Sequence, residues 1–338
     1  MIAARQLQER LEELLRRQLG TRILAAIGDP QITEIIVNED GRVWFESYGK
    51  GMHEAGLRLA ASQVESLIGT VAASLGTVAN ASSPIVEGEL QIEGIRFEGL
   101  LPPIARKPCC VMRKPAQVLY ALDDYVRDGV LNEAHAKVLR DAIDERLNIV
   151  VAGGTGSGKT TLAGAMINEM VECSDANERY VIIEDTLEIQ CRAHNLVQLH
   201  TAESADMTRL VRTTMRLRPD RIIIGEVRGA EALALLKAWN TGHPGGVTTI
   251  HANSARAALT RLSSLVQEAG VPPQPELIAE TINLLVFIVR SSAGRRVTEV
   301  VRVAGYNARD GFALAPMKLD KASKPSRLEV YSINEGGT

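Results

Sequence analysis

The stretch Gly153-Gly154-Thr155-Gly156-Ser157-Gly158-Lys159-Thr160 fits the pattern G-x-x-x-x-G-K-[ST]. It follows the apolar run Ile149 to Ala152 and leads into a helix-like run that opens Thr161-Leu162-Ala163. That context is what phosphate chemistry needs. Glycines let consecutive backbone N–H groups wrap an anion, and a helix N-terminus adds the positive end of its dipole. Residues 153 to 161 are therefore the candidate phosphate cradle, with Lys159 placed to reach the β- and γ-phosphates and the Thr160 hydroxyl to take a place on Mg²⁺. The loop specifies a nucleotide but not a reaction, since small-molecule kinases, GTPases and mechanical ATPases all use it. No N-K-x-D follows downstream and no arginine-rich lid stands out, which disfavours the first two.

Carboxylates lie where a buried strand would end. Val181-Ile182-Ile183 runs into Glu184-Asp185-Thr186-Leu187-Glu188, and Arg221-Ile222-Ile223-Ile224 runs into Gly225-Glu226. In open α/β sheets ligands bind beyond the carboxyl ends of the strands. Either Glu184 or Glu188 is then placed to activate water. Glu226 is placed to serve Mg²⁺ through its water shell or to orient the attacking water. Thr249-Ile250-His251 ends a further strand run, so His251 belongs to the same edge and is available to sense a γ-phosphate, whereas His243 sits in the turn-like Gly242-His243-Pro244-Gly245-Gly246.

The elements that must hold these groups divide the chain. From Asp123 onward, short apolar runs (149–152, 181–183, 222–224, 247–250 and 285–289) alternate with helical patterns, the signature of a parallel sheet with crossover helices. Before it, Leu7, Leu11, Leu14, Leu15 and Leu19 fall on one face of an amphipathic helix. A hairpin is expected over 32–37 and 42–47 and a helix near 60–75. A second hairpin should span 89–92 and 95–101, followed by a strand at 109–113. The reading is a small α+β domain over 1–115, a linker over 116–131, an α/β domain over 132–316 and a polar tail over 317–338.

Composition sets outer limits. A chain of 338 residues with 45% hydrophobic and 23% charged residues can pack about two domains, and its net charge of −3 lacks the basic excess of a dedicated nucleic-acid binder. Direct nucleic-acid binding is not expected, and 4% aromatic content leaves little for a base-stacking platform, which weighs against a RecA-like motor translocating DNA. Cys109, Cys110, Cys173 and Cys191 form no C-x-x-C pair, against both a zinc site and a disulfide framework. No apolar run approaches the roughly 18 residues of a membrane span, and Met1 to Leu19 lacks a signal-like apolar core, so a cytoplasmic location is expected.

Taken in order, GGTGSGKTTL, IEDTLEI, RPDRIIIGEVRG and TGHPGGVTTIHANS resemble the Walker A, Asp box, Walker B and His box of the traffic ATPases that power type II secretion, type IV secretion and type IV pili. The likeness extends from about residue 20 to 305 and includes ITEIIVNEDGRVWFE and RFEGLLPPIARKPCCVMRKPA. An Asp box reading Asp-Thr and the absence of a zinc-type cysteine cluster favour the conjugal-transfer branch, with the tight-adherence or type IV pilus assembly ATPases as the alternative. The resemblance implies a RecA-like P-loop NTPase core behind a smaller, PAS-like N-terminal α+β domain, with ATP and Mg²⁺ as cofactors. It also implies a homohexamer docked peripherally on inner-membrane components of a secretion or conjugation channel. By the same likeness Glu184 is the general base, Glu226 the Walker B glutamate, and Arg96 and Arg113 the arginines that the N-terminal domain supplies to the phosphates; Arg228 also matches a family arginine.

Overall fold

The computed structural model describes residues 2–47, 50–90, 92–115, 119–202, 204–291 and 294–316, and the expected polar tail at 317–338 lies outside them. The chain forms two compact units, Met1–Val118 and Leu119–Thr338.

The first unit contains α1 (Ile2–Gly28), β1 (Ile32–Val37), β2 (Arg42–Ser47), β3 (Gly51–Arg58), α2 (Ala61–Ser74), β4 (Ile85–Glu89), β5 (Arg96–Leu100) and β6 (Cys109–Arg113). Its sheet runs β3-β2-β1-β6-β5-β4, and each neighbouring pair is antiparallel. One sheet face carries the core. Leu15, Leu19, Ile23 and Ile27 of α1 and Val64, Leu67, Ile68 and Val71 of α2 pack against Ile35, Val37, Val43, Phe97 and Met112. The leucine periodicity of the first helix thus serves its own unit, although Leu14 stays exposed, and the helix breaks at Gly20, where φ is 71°. The second hairpin starts earlier than its apolar pattern indicates, with β4 at Ile85. Strand β3 has no counterpart in the sequence reading: it is an edge strand whose alternate residues are half-buried and exposed, so no run of large apolar residues announces it.

The second unit contains α3 (Leu122–Arg127), α4 (Glu133–Asp144), β7 (Ile149–Gly153), α5 (Lys159–Cys173), β8 (Arg179–Glu184), β9 (Asn195–His200), α6 (Met207–Thr214), β10 (Arg221–Ile224), α7 (Glu231–Asn240), β11 (Val247–His251), α8 (Ala255–Gln267), α9 (Pro275–Thr281), β12 (Leu284–Ser291), β13 (Gly294–Asn307) and β14 (Gly311–Pro316). The sheet order is β14-β13-β12-β7-β11-β10-β8-β9, parallel from β12 through β9 and closed at one edge by the antiparallel β12-β13-β14 meander. Helices cover both faces, as buried parallel strands require. Leu139, Ile143, Leu162, Met166 and Met170 pack on one side, and Val211, Leu235, Trp239, Leu259 and Ile278 on the other. The interval 116–131 is not a linker throughout. Leu122, Tyr125 and Leu131 are buried in the core of the second unit, because the α3 turn is amphipathic at too short a length to register as a helix by periodicity.

Candidate active site

Strand order brings the candidate residues together. At the carboxyl edge β7, β11, β10 and β8 lie side by side, so the loop after β7, His251 on β11, Glu226 after β10 and Glu184 on β8 share one rim. His251 and Ile288 of β12 flank Gly153 at the same level, one on each side.

The loop backbone demands glycine. A Cβ on Gly153 would sit 2.4 Å from the Ile288 carbonyl oxygen, and Gly156 and Gly158 hold φ of 67° and 95°, in the left-handed region. Gly158 is the N-cap of α5 and has no side chain with which to cap it, so the anion-binding end of a 15-residue helix opens onto the loop. Within the loop the Ser157 hydroxyl is buried with no hydrogen-bond partner among the described residues, and Thr160 and Thr161 are half-buried in the first helical turn. Lys159, also buried, donates from Nζ to the Gly154 carbonyl at 3.1 Å and lies 3.3 Å from His251 Nε2.

Glu226 is clamped from two sides. His251 Nε2 stands 2.9 Å from its Oε1, and Arg228 donates from Nη2 to its Oε2 at 2.7 Å. The turn that carries it is stitched to both neighbouring strands: Gly225 N–H donates to Ile183 O (2.9 Å), Thr249 Oγ1 donates to Gly225 O (2.8 Å), and Val227 N–H donates to Thr249 O (2.9 Å). Arg228 also reaches Asp185 Oδ2 at 3.5 Å, which links the turns after β8 and β10. Burial alone would lower the basicity of Arg228, but the bond and charge of Glu226, with Asp185 and Glu188, hold its pKa above the ordinary value. For His251 burial prevails. Together with the positive charges of Lys159, Arg228 and Arg261 it pushes the imidazole below the usual histidine range, against the opposing pull of Glu226.

Glu184 is 3% exposed, and its Oε1 accepts the backbone N–H groups of Glu188 and Ile189, each at 3.0 Å. Its stem lies against Gly225, where an added Cβ would stand 3.0 Å from Cγ and 3.3 Å from Oε1. Glycine at 225 thus leaves Glu184 room that a larger residue would narrow by a few tenths of an ångström. Asp185, which the motif reading passed over as a ligand of Arg228, carried no signal beyond its adjacency to Glu184.

His243 lies before β11 starts, at the other end of that strand from His251, and its Nδ1 pairs with the Pro219 carbonyl at 2.9 Å. Arg96 and Arg113 belong to the first unit. They are direct cross-strand partners on β5 and β6, on the face opposite Phe97 and Met112, in a row that reads Glu89-Arg96-Arg113-Glu34 across four strands. Arg113 Nε is 3.6 Å from Glu34 Oε1.

A glycine cradle at a helix N-terminus fits a polyphosphate, and the hard oxygen donors of Thr160 and Glu226 fit Mg²⁺. A parallel sheet sandwiched by helices, with that cradle between β7 and α5 and carboxylates ending the neighbouring strands, defines a RecA-like P-loop NTPase domain; the six-stranded antiparallel unit is its N-terminal α+β companion. The chain belongs to the Type II/IV secretion system protein family, which it matches over residues 18–309. It is 52% identical to the conjugal transfer protein TrbB of Rhizobium radiobacter over 88% of this chain and 91% of that one. It is 51% identical to the probable conjugal transfer protein TrbB of Sinorhizobium fredii over 87% and 90%. In fold it is similar to the X-ray structure of the Legionella pneumophila ATPase DotB, with a TM-score of 0.60 at 22% identity over 81% of this chain and 77% of that one. Among the described residues no helix is long and apolar enough to cross a membrane.

Proposed function

We propose that this chain is a Mg²⁺-dependent ATPase that energises conjugative type IV secretion, working as a homohexamer docked on inner-membrane components of the transfer channel at the cytoplasmic face. The observation that carries the reading is the Lys159–His251–Glu226–Arg228 cluster beside a glycine cradle, in a chain half identical to conjugal transfer proteins.

In this reading Lys159 leaves the Gly154 carbonyl for the β- and γ-phosphates, an exchange of one acceptor for a more highly charged one. The Thr160 hydroxyl and, through water, Glu226 would hold Mg²⁺, which when bound would supply positive charge to the phosphates. Glu184 is the general base: two backbone N–H bonds fix its carboxylate where the β8 edge meets β10, so that it can take a proton from the attacking water. Glu226, held by His251 and Arg228, orients that water, and His251 couples the position of Lys159 to that of Glu226. Arg96 and Arg113, cross-strand neighbours in the first unit, add positive charge to the phosphates. Hydrolysis then splits the γ-phosphate from ADP, and release of that phosphate drives the conformational cycle that does the mechanical work.

The test is light scattering coupled to size exclusion with phosphate release on the same samples, with and without Mg-ATP, for wild type, Lys159→Ala and Arg113→Ala. A six-subunit mass is expected, with turnover lost in Lys159→Ala and at least about tenfold lower in Arg113→Ala. Wild type that stays monomeric and releases no phosphate would defeat the proposal, and normal turnover in Arg113→Ala would remove the arginine role.

A further inference from the structure

The loop has a second wall that the motif set does not include. Strand β12 runs parallel to β7 on the side away from β11, with Ile288 level with Gly153. Two residues further on, about 7 Å higher at the rise of a strand, β12 reaches Arg290, and β13 returns with Arg295 as its direct cross-strand partner. Both side chains lie on the loop. A Cβ on Gly156 would stand 3.2 Å from Arg290 Nη1, and one on Gly158 would stand 3.2 Å from Arg295 Cδ and 3.5 Å from its Nε. The hairpin that presents them is held firmly: Val297 and Val300 are core residues, and Val297 N–H donates to Val130 O at 2.8 Å.

The two walls differ in chemistry. On the β11 side Lys159 meets His251 and Glu226, the groups suited to a γ-phosphate and its water. The glycine-rich backbone cradles the α- and β-phosphates, and the arginine pair rests on two of those glycines. We infer that Arg290 and Arg295 are nucleotide-binding residues of this site, which engage the α- and β-phosphates of a nucleoside di- or triphosphate from the β12–β13 hairpin. Planar guanidinium groups suit that task, since each presents a fork of donors to phosphate oxygens. A side chain at 156 or 158 would crowd these arginines by a few tenths of an ångström, in addition to the strain of the backbone angles.

This inference rests on the reading of the loop as a nucleotide site, and its test separates the two. Isothermal titration of the full chain with ADP and with a non-hydrolysable ATP analogue needs no turnover. Arg290→Gln and Arg295→Gln are each expected to weaken both ligands by the same factor, about tenfold or more, because the α- and β-phosphates are common to both. Arg290→Lys and Arg295→Lys should recover part of the loss. Circular dichroism checks the fold, and should a glutamine variant not fold, its lysine counterpart carries the test, with an expected loss smaller than tenfold but above twofold. Wild type that does not bind ADP would remove the nucleotide reading and this inference with it. Wild-type binding with folded Arg290 and Arg295 variants all within twofold of it would overturn the inference alone.

Discussion

Substituting Gly225 with alanine isolates the positioning of Glu184 from everything else in the site. No donor, acceptor or charge is removed, and Gly225 does not lie in the left-handed region, so alanine fits its backbone. The new methyl group would stand 3.0 Å from Glu184 Cγ, against 3.4 Å for ordinary contact, so the glutamate must move by a few tenths of an ångström. Its Oε1, anchored by two N–H bonds of 3.0 Å, must then lengthen those bonds or rotate away from them. A misplacement of about 1 Å can cost about a hundredfold in rate, so this shift corresponds to roughly 5- to 10-fold in kcat, or about 1 kcal/mol in the barrier. Stability should respond little or even rise, since replacing glycine with alanine at a compatible backbone site restricts the unfolded chain by about 0.4–1 kcal/mol. The expected signature is a kcat lowered with KM for ATP and the melting temperature nearly unchanged, read from steady-state phosphate release and a thermal melt of the same preparation. A Gly225→Ala protein with kcat within twofold of wild type would refute both the packing argument and the assignment of Glu184 as the base.

Two further outcomes follow from the same geometry. His251 binds its proton less readily folded than unfolded, so its contribution to stability is present above its unfolded pKa of about 6.5 and is lost as pH falls through the lower folded value. Nucleotide-free wild type should therefore lose more melting temperature than His251→Gln between about pH 7 and about pH 5, and parallel curves would contradict the assignment. At the opposite end of the second unit's sheet, Glu178 pairs with Arg146 and, at 3.2 Å, with Arg221 Nε, whose side chain is 4% exposed. Glu178→Ala leaves the Arg221 charge buried beside the Gly245 carbonyl and Ser174 with no carboxylate partner among the described residues, so a loss of about 3–5 kcal/mol in urea unfolding is expected, with a smaller loss for Glu178→Gln; a loss below about 1 kcal/mol would show that the charge finds water instead.

The cradle from Gly153 to Thr161 was legible from residue types because everything it requires is local: positive φ at glycine, a helix start, and a lysine one residue into that helix. The central strands were equally legible, since burial on both faces writes them as continuous apolar runs, and the runs at 149–152, 181–183, 222–224, 247–250 and 285–289 fall within β7, β8, β10, β11 and β12. Strands β3, β9, β13 and β14 were not, because at or near a sheet edge one side of the strand faces water and the apolar pattern thins. The helical turn at Leu122–Arg127 was too short for periodicity to show.

Which side chains meet was decided only in three dimensions. Lys159 and His251 stand 92 residues apart along the chain, and Arg228 joins Asp185 across 43. Their encounters follow from the order β7-β11-β10-β8, which is not the order of the sequence. Motif order names the boxes, but strand order is set by which apolar faces the crossover helices can cover, a property of the whole sheet. Arg290 and Arg295 show the same division most plainly. In the sequence Arg290 follows an apolar run and Arg295 stands among polar residues, and only the β12–β7 pairing lays them on the phosphate loop.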